Sequence, residues 1–198
     1  INNNRTKNFT GFNLSNEKNQ PLTICGYLIV SVILACLLSS CSPHLNLPGK
    51  ARIKPHINGN TFVMPDGVKL PMYKWPSYGQ PKAILLALHG FNDYGKFIEE
   101  AASFLGDRGV QTYTYDQRGF GRTRYPGIWP GTKALCQDFV NVIRLLKDRH
   151  RGMPVYLLGH SMGGAVLISA LNRYNPPLTD GSILVAPAVL GRESMPIY

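Results

Sequence analysis

The stretch Val155-Tyr156-Leu157-Leu158-Gly159-His160-Ser161-Met162-Gly163-Gly164 prescribes an unusual piece of backbone. Its leading run, Val155 to Leu158, suits a strand buried on both faces. Met162 to about Arg173 suits a helix. Turning one into the other within Gly-x-Ser-x-Gly needs a tight bend. Glycines at 159 and 163 remove the side chains that would collide there, and Gly164 lets the helix pack closely. Ser161 is left at the apex with its hydroxyl exposed. The first amide of the helix, that of Met162, points at any oxyanion that develops beside the serine.

The same alternation runs through most of the chain. Asn60–Met64 and Val68–Met72 flank the turn Pro65-Asp66-Gly67, a hairpin pattern. Ala83–Leu88 is an uninterrupted apolar run of the kind a doubly covered strand needs. Phe97–Arg108 has helical spacing, with Phe97, Ala101 and Phe104 on one side and Gly106 or Gly109 as stop signals. Val110–Tyr115 reads as a strand. In Thr132–Arg149, Leu135, Phe139, Ile143 and Leu146 fall at i, i+4, i+8 and i+11, a single apolar stripe. Ile183–Ala186 is the last strand. A hairpin followed by alternating strands and helices predicts an α/β fold, a mostly parallel sheet with helices on both faces.

The N-terminal 41 residues do not fit that pattern. Asn2–Gln20 is polar and asparagine-rich, with Arg5, Lys7 and Lys18, and Leu22–Leu38 then runs without a charge. A basic region followed by an apolar one is the order of a secretory signal. Leu38-Ser39-Ser40-Cys41 is similar to a bacterial lipobox, in which small residues precede a lipidated cysteine. Ile33-Leu34-Ala35-Cys36 is a poorer match, because leucine stands where a smaller residue is usual. The alternative is an uncleaved single-pass anchor, since the apolar run is just long enough to span a bilayer. Both place the remainder outside the cytoplasm, facing a periplasm and attached to a membrane. The expected division is a leader and signal or anchor over 1–41, a proline-punctuated tether over 42–57, and a folded domain over 58–198.

Composition narrows the function. With 44% hydrophobic and 16% charged residues, the chain is one that folds. Only +2 of the net charge of +10 comes from residues 1–41, through Arg5, Lys7, Lys18 and Glu17, and the rest carries +8. The densest basic cluster, Arg144, Lys147, Arg149 and Arg151, sits at the end of a predicted helix, where cations complement the dipole. No basic motif interleaved with aromatics points to nucleic acid. Attraction to an anionic membrane surface fits the N-terminus better. Cleavage at Cys41 would leave Cys136 without an internal disulfide partner, and its helical setting makes it a small buried hydrophobe.

Two further segments carry chemistry. His89-Gly90-Phe91 closes the Ala83 strand, where a second oxyanion donor, the Phe91 amide, would arise. His89 and His160 directly adjoin strands and read as structural. Asp116-Gln117-Arg118-Gly119-Phe120-Gly121-Arg122-Thr123 contains Gly-x-Gly, but Arg124 replaces the third glycine of a dinucleotide fingerprint and no helix opens there. It reads as a turn whose Asp and Arg brace the loops around the site. No metal-ligand spacing and no cofactor motif are present.

Together with Asn92-Asp93-Tyr94, Gly119-Phe120-Gly121 and Asp180-Gly181-Ser182-Ile183-Leu184-Val185-Ala186-Pro187-Ala188, these segments appear in the order of one family. Over about residues 58–190 the chain resembles the monoacylglycerol lipase and lysophospholipase group of α/β-hydrolases. The resemblance implies a serine ester hydrolase with Ser161 as nucleophile, Phe91 and Met162 as backbone oxyanion donors, and single-acyl lipid esters as substrates. It also implies a parallel sheet cut short after about the sixth strand.

In that family the serine is followed along the chain by an acid and then a histidine. Here all five histidines, His44, His56, His89, His150 and His160, precede Ser161. The carboxylates after it are Asp180, which leads into the Ile183 strand and reads as structural, and Glu193. The triad acid and histidine therefore have no candidate in these residues, and the Ile183 strand should be an exposed apolar edge. Three readings follow. The chain is an incomplete hydrolase, inactive alone; or one half of a split enzyme completed by a separately encoded C-terminal half; or a membrane-tethered lipoprotein that uses the fold for binding.

Overall fold

A computed structural model describes residues 20–39, 45–174 and 179–189. Cys41, His44 and Glu193 lie outside them. The chain divides into two units at Pro43. In the first, α1 (Gln20–Ser39) carries no charge in its first or last turn, and its side chains from residue 25 to 36 are exposed. Among the described residues no helix is long and apolar enough to cross a membrane.

The second unit runs β1 (His56–Asn58), β2 (Thr61–Val63), β3 (Lys69–Trp75), β4 (Ala83–Leu88), a 3-10 turn (Gly95–Ile98), α2 (Glu99–Gly106), β5 (Val110–Tyr115), α3 (Thr132–Arg149), β6 (Val155–His160), α4 (Met162–Tyr174) and β7 (Gly181–Val185). These strands form one sheet of order β1-β2-β3-β5-β4-β6-β7. β5, β4, β6 and β7 are parallel, and β1, β2 and β3 join antiparallel. The hairpin pairs Phe62 with Leu70. Its turn closes with Gly67 N–H on Met64 O at 2.8 Å, glycine supplying the φ of 85°.

β4 shows why the sheet is covered twice. Ile84, Leu86 and Leu88 join a core with Leu135, Phe139, Ile143 and Leu146 of α3 and Val166, Leu167 and Ala170 of α4. Leu85 and Ala87, on the opposite face by the two-residue period of a strand, pack with Ile98 and Ala102. The structure therefore has the mixed, mostly parallel sheet with helices on both faces that the sequence predicts. All four residues of the α3 stripe are buried. Cys136, on the same helix, is buried and lies 3.8 Å from Val166 O, a packed side chain rather than an accessible thiol.

Three details differ from the sequence reading. The helix expected over Phe97–Arg108 begins as a 3-10 turn; Ile98 and Ala102 are buried, and Phe97, as expected, and Leu105 pack half-buried against the same cluster. Ala101 and Phe104 face solvent, with the Arg108 guanidinium 3.5 Å from the centre of the Phe104 ring. A short strand, β1, starts inside the segment read as a tether. That segment is also bound to the domain: Asn46 N–H donates to Trp129 O at 3.0 Å, and Arg52 N–H to Pro65 O at 2.8 Å. Seven strands are described rather than about six, β1 being the addition.

Candidate active site

Ser161 sits between β6 and α4 with φ of 49°, a left-handed conformation that non-glycine residues seldom adopt. Such strain persists only where the surroundings over-determine it. Here Ser161 N–H donates to Val185 O at 3.0 Å, while Ser161 O accepts from Ala188 N–H at 3.0 Å and Ala165 N–H at 3.2 Å. The end of β7 thus clamps the bend from one side.

The glycines show how close the neighbouring backbones come. A side-chain carbon at Gly163 would collide with Leu88 O and come within 2.8 Å of His89 O. One at Gly159 would lie 2.6 Å from Gly164 Cα, and one at Gly164 2.8 Å from Pro187 Cβ. Larger residues would force α4 away from β4. At Gly90 such a carbon would stand 3.4 Å from Ser161 Cβ and 3.1 Å from His160 Nδ1. The loop after β4 therefore runs directly beside the serine and brings Phe91 to it.

Met162 is the first residue of α4, so its amide has no carbonyl within the helix to bind. No hydrogen bond occupies the Phe91 amide among the described residues. The Phe91 and Met162 amides, on the segments next to Ser161, are thus both left without a backbone acceptor among the described residues. The Phe91 side chain is 68% exposed. It meets Phe120 edge-on at 5.5 Å and Trp129 at 6.4 Å, giving the site an apolar wall.

The two expected braces are in place. Asp116, fully buried, accepts from Gly95 N–H and Arg122 N–H at 2.8 Å each and from the Tyr73 hydroxyl at 3.2 Å. Arg118 donates from Nε and Nη2 to both oxygens of Asp138, at 2.8 and 2.9 Å. From Nη1 and Nη2 it also reaches Asp66, at 2.6 and 3.2 Å. Burial pushes the Asp138 carboxyl up to about 6 against the pull of Arg118. Burial also opposes ionisation of Asp66, but Arg118 and the amides of Val68 and Gly49 hold it below the usual carboxylate range. The partners Asp66 and Asp138 were not singled out in the sequence. An acid beside the apolar stripe of α3 was the available signal.

None of the four described histidines hydrogen-bonds Ser161. His89 is fully buried, with its ring engaged by Gly90 and Gln117. His160 stacks on Phe97 at 6.1 Å. His150 Nε2 is hydrogen-bonded with the Tyr113 hydroxyl of β5 at 2.9 Å, and His56 contacts Lys54 O. Asp180 accepts from Val155 N–H at 2.7 Å and donates from its own amide to Val155 O at 2.9 Å. It ties down the opposite end of β6 from Ser161, a structural role. Among the described residues no side chain hydrogen-bonds the serine hydroxyl, and no cluster of metal-ligating residues occurs.

The sequence profile of the family described as "Serine aminopeptidase, S33" matches residues 79–198, more than half of the chain. The chain belongs to that family. Within it, the relatives place the chain among α/β-hydrolases of the monoacylglycerol lipase group. The monoglyceride lipase of Homo sapiens is 32% identical over 145 residues, covering 69% of this chain and 43% of that protein. The monoacylglycerol lipase of Mycolicibacterium smegmatis is 26% identical over 137 residues, covering 69% and 49%. A soluble variant of the Saccharomyces cerevisiae monoglyceride lipase, solved with a substrate analogue, superposes with a TM-score of 0.53 at 24% identity, over 74% of this chain and 48% of that one. The last likeness shows the fold. The chain spans a little under half the length of these curated relatives.

Proposed function

We propose that the Ser161 elbow and the Phe91 loop are the nucleophile half of a serine ester hydrolase site for single-acyl lipid esters. The observation that carries this reading is the left-handed Ser161 held at the strand-to-helix bend with the Gly90–Phe91 loop packed against it. In the reaction, Ser161 Oγ attacks the ester carbonyl, and the Phe91 and Met162 amides receive the negative charge on its oxygen. Collapse expels the alcohol and leaves an acyl-serine that water hydrolyses. The apolar wall of Phe91, Phe120 and Trp129 suits an acyl chain, and the named lipases among the relatives favour a lipid ester.

Attack needs a base to take the serine proton, and no described histidine is placed to do so. The histidine and its acidic partner come from polypeptide outside residues 1–198, and these residues alone are nearly inert. Loss of a triad base lowers turnover by about 10⁶. The strand β7, whose Ile183, Leu184 and Val185 are 50%, 44% and 43% exposed at the edge of the described sheet, is one on which a further strand can pair. Attachment to a membrane, through lipid on Cys41 or an uncleaved anchor, belongs to the same reading. An unlipidated Cys41 peptide from the full-length chain in membranes, seen by mass spectrometry, would remove the lipid option.

Added imidazole can stand in for an absent histidine base. Hydrolysis of a short-chain monoacylglycerol by residues 1–198 should rise with imidazole concentration and disappear in Ser161→Ala. Equal imidazole-dependent rates in the two proteins would overturn the assignment.

A further inference from the structure

We propose that Leu45, Leu47, Phe91 and the Tyr125–Trp129 turn together form a docking surface for an anionic lipid bilayer. This goes beyond the hydrolytic reading and rests on it only for the membrane attachment of the N-terminal segment. Scattered exposed apolar residues are ordinary, and only a contiguous patch carries meaning. These residues are connected. Asn46 N–H is bonded to Trp129 O at 3.0 Å, which sets Leu45 and Leu47 on either side of that contact. A Leu47 methyl lies 3.7 Å from where a side chain at Gly131 would begin. The Phe91 ring is next to Trp129. Leu47 is 64% exposed, and Leu45 and Tyr125 are also open to solvent. Leu45 and Leu47 precede the first strand, so lining the cleft at Ser161 does not account for them.

Charge selects the occupant. Residues 45–55 carry Lys50, Arg52 and Lys54 with no acid, and all three side chains are exposed. Residues 117–131 likewise carry no acid, and Arg122 and Arg124 there are exposed. Arg124 lies 4.7 Å over the Tyr125 ring. Aromatic rings, leucines and cations on loops at one end of a sheet fit the boundary between acyl chains and phosphate headgroups. Cation stems can lie along the apolar zone while their charges reach the phosphates. A protein partner with an acidic rim would meet the same charges, but it would not bring acyl chains to Trp129.

Trp75 and Trp129 are the two tryptophans, so Trp75→Phe in the full chain leaves Trp129 as the reporter. Vesicles of phosphatidylcholine and phosphatidylglycerol, with acyl chains brominated near the headgroup, should blue-shift and quench its emission. Leu47→Asp and Arg124→Glu are surface changes that leave the fold intact. Each should abolish most of the quenching while the chain still sediments with the vesicles through its N-terminal segment. Replacing phosphatidylglycerol by phosphatidylcholine should weaken the quenching. Unquenched Trp129 in vesicle-bound protein overturns the proposal, as does a chain that does not sediment at all. Full quenching retained in both variants also overturns it.

Discussion

Gln117 holds His89 from two directions: its main-chain N–H donates to Nε2 at 2.9 Å, and its side-chain Nε2 donates to the His89 carbonyl at 2.8 Å. Since Nε2 must accept, the ring proton resides on Nδ1 and is donated to Gly90 O at 2.7 Å. A neutral imidazole therefore joins the loop that carries Phe91 to the loop after β5. Burial holds its pKa below 6.5.

That depression has a definite sign. The folded ring stays neutral where the unfolded ring protonates. Its contribution is complete above about pH 6.5 and is lost as pH falls through the lowered folded value. His89→Gln cannot titrate. It should cost about 1–3 kcal/mol at pH 7.5, from Gln117 and Gly90 groups left unpaired. From pH 7.5 to 5 the gap to wild type should narrow. Urea midpoints at the two pH values measure it, and a gap that widens on acidification would be the wrong sign.

Arg118 is the only cation bound to two buried carboxylates, Asp66 and Asp138, among the described ion pairs. Arg118→Met should cost about 3–5 kcal/mol, because it leaves those carboxylates uncompensated. Asp138 runs opposite to His89. With its pKa raised to about 6, its contribution is full below the ordinary value of 3.8 and is lost as pH rises through about 6. Asp138→Asn should therefore gain on wild type in chemical denaturation as pH climbs from about 4 to 7.

Ser161 stores backbone strain that only glycine avoids. Ser161→Ala and Ser161→Gly lose the same hydroxyl, but alanine keeps the left-handed penalty. The glycine variant should be the more stable of the two by about 1 kcal/mol in urea unfolding. Equal midpoints would mean that the bend is not strained.

The exposed edge of β7 should drive self-association through unpaired N–H and C=O groups next to Ile183, Leu184 and Val185. Ile183→Lys places a charge there without disturbing the interior. Light scattering at rising concentration should show less association than in wild type. No change would indicate that the edge is already covered.

The parts legible in the sequence were those fixed by local periodicity. The apolar stripe from Leu135 to Leu146 and the run Ala83–Leu88 predict α3 and β4 with the bounds the structure has. Around Phe97 the sequence supports two stripes a residue apart, and only the sheet beneath selects Ile98 and Ala102 over Ala101 and Phe104 while keeping Phe97. A strand as short as His56–Asn58 has no pattern of its own and exists through pairing with β2. At the site, the elbow glycines and the Phe91 loop could be recognised because their chemistry is local. The Arg118 bonds to Asp66 and Asp138 span 52 and 20 residues, and the Gln117 grip on His89 spans 28. Only the folded topology brings such pairs together.

Whether Ser161 is a nucleophile lacking its base is read most directly by fluorophosphonate labelling with site identification by mass spectrometry. Purified residues 1–198 should label at Ser161 only slowly and far below one equivalent. A polypeptide that supplies the acid and the histidine should raise labelling towards one equivalent at the same residue. Rapid stoichiometric labelling of Ser161 in residues 1–198 alone would contradict this, because the base would then have to lie within them.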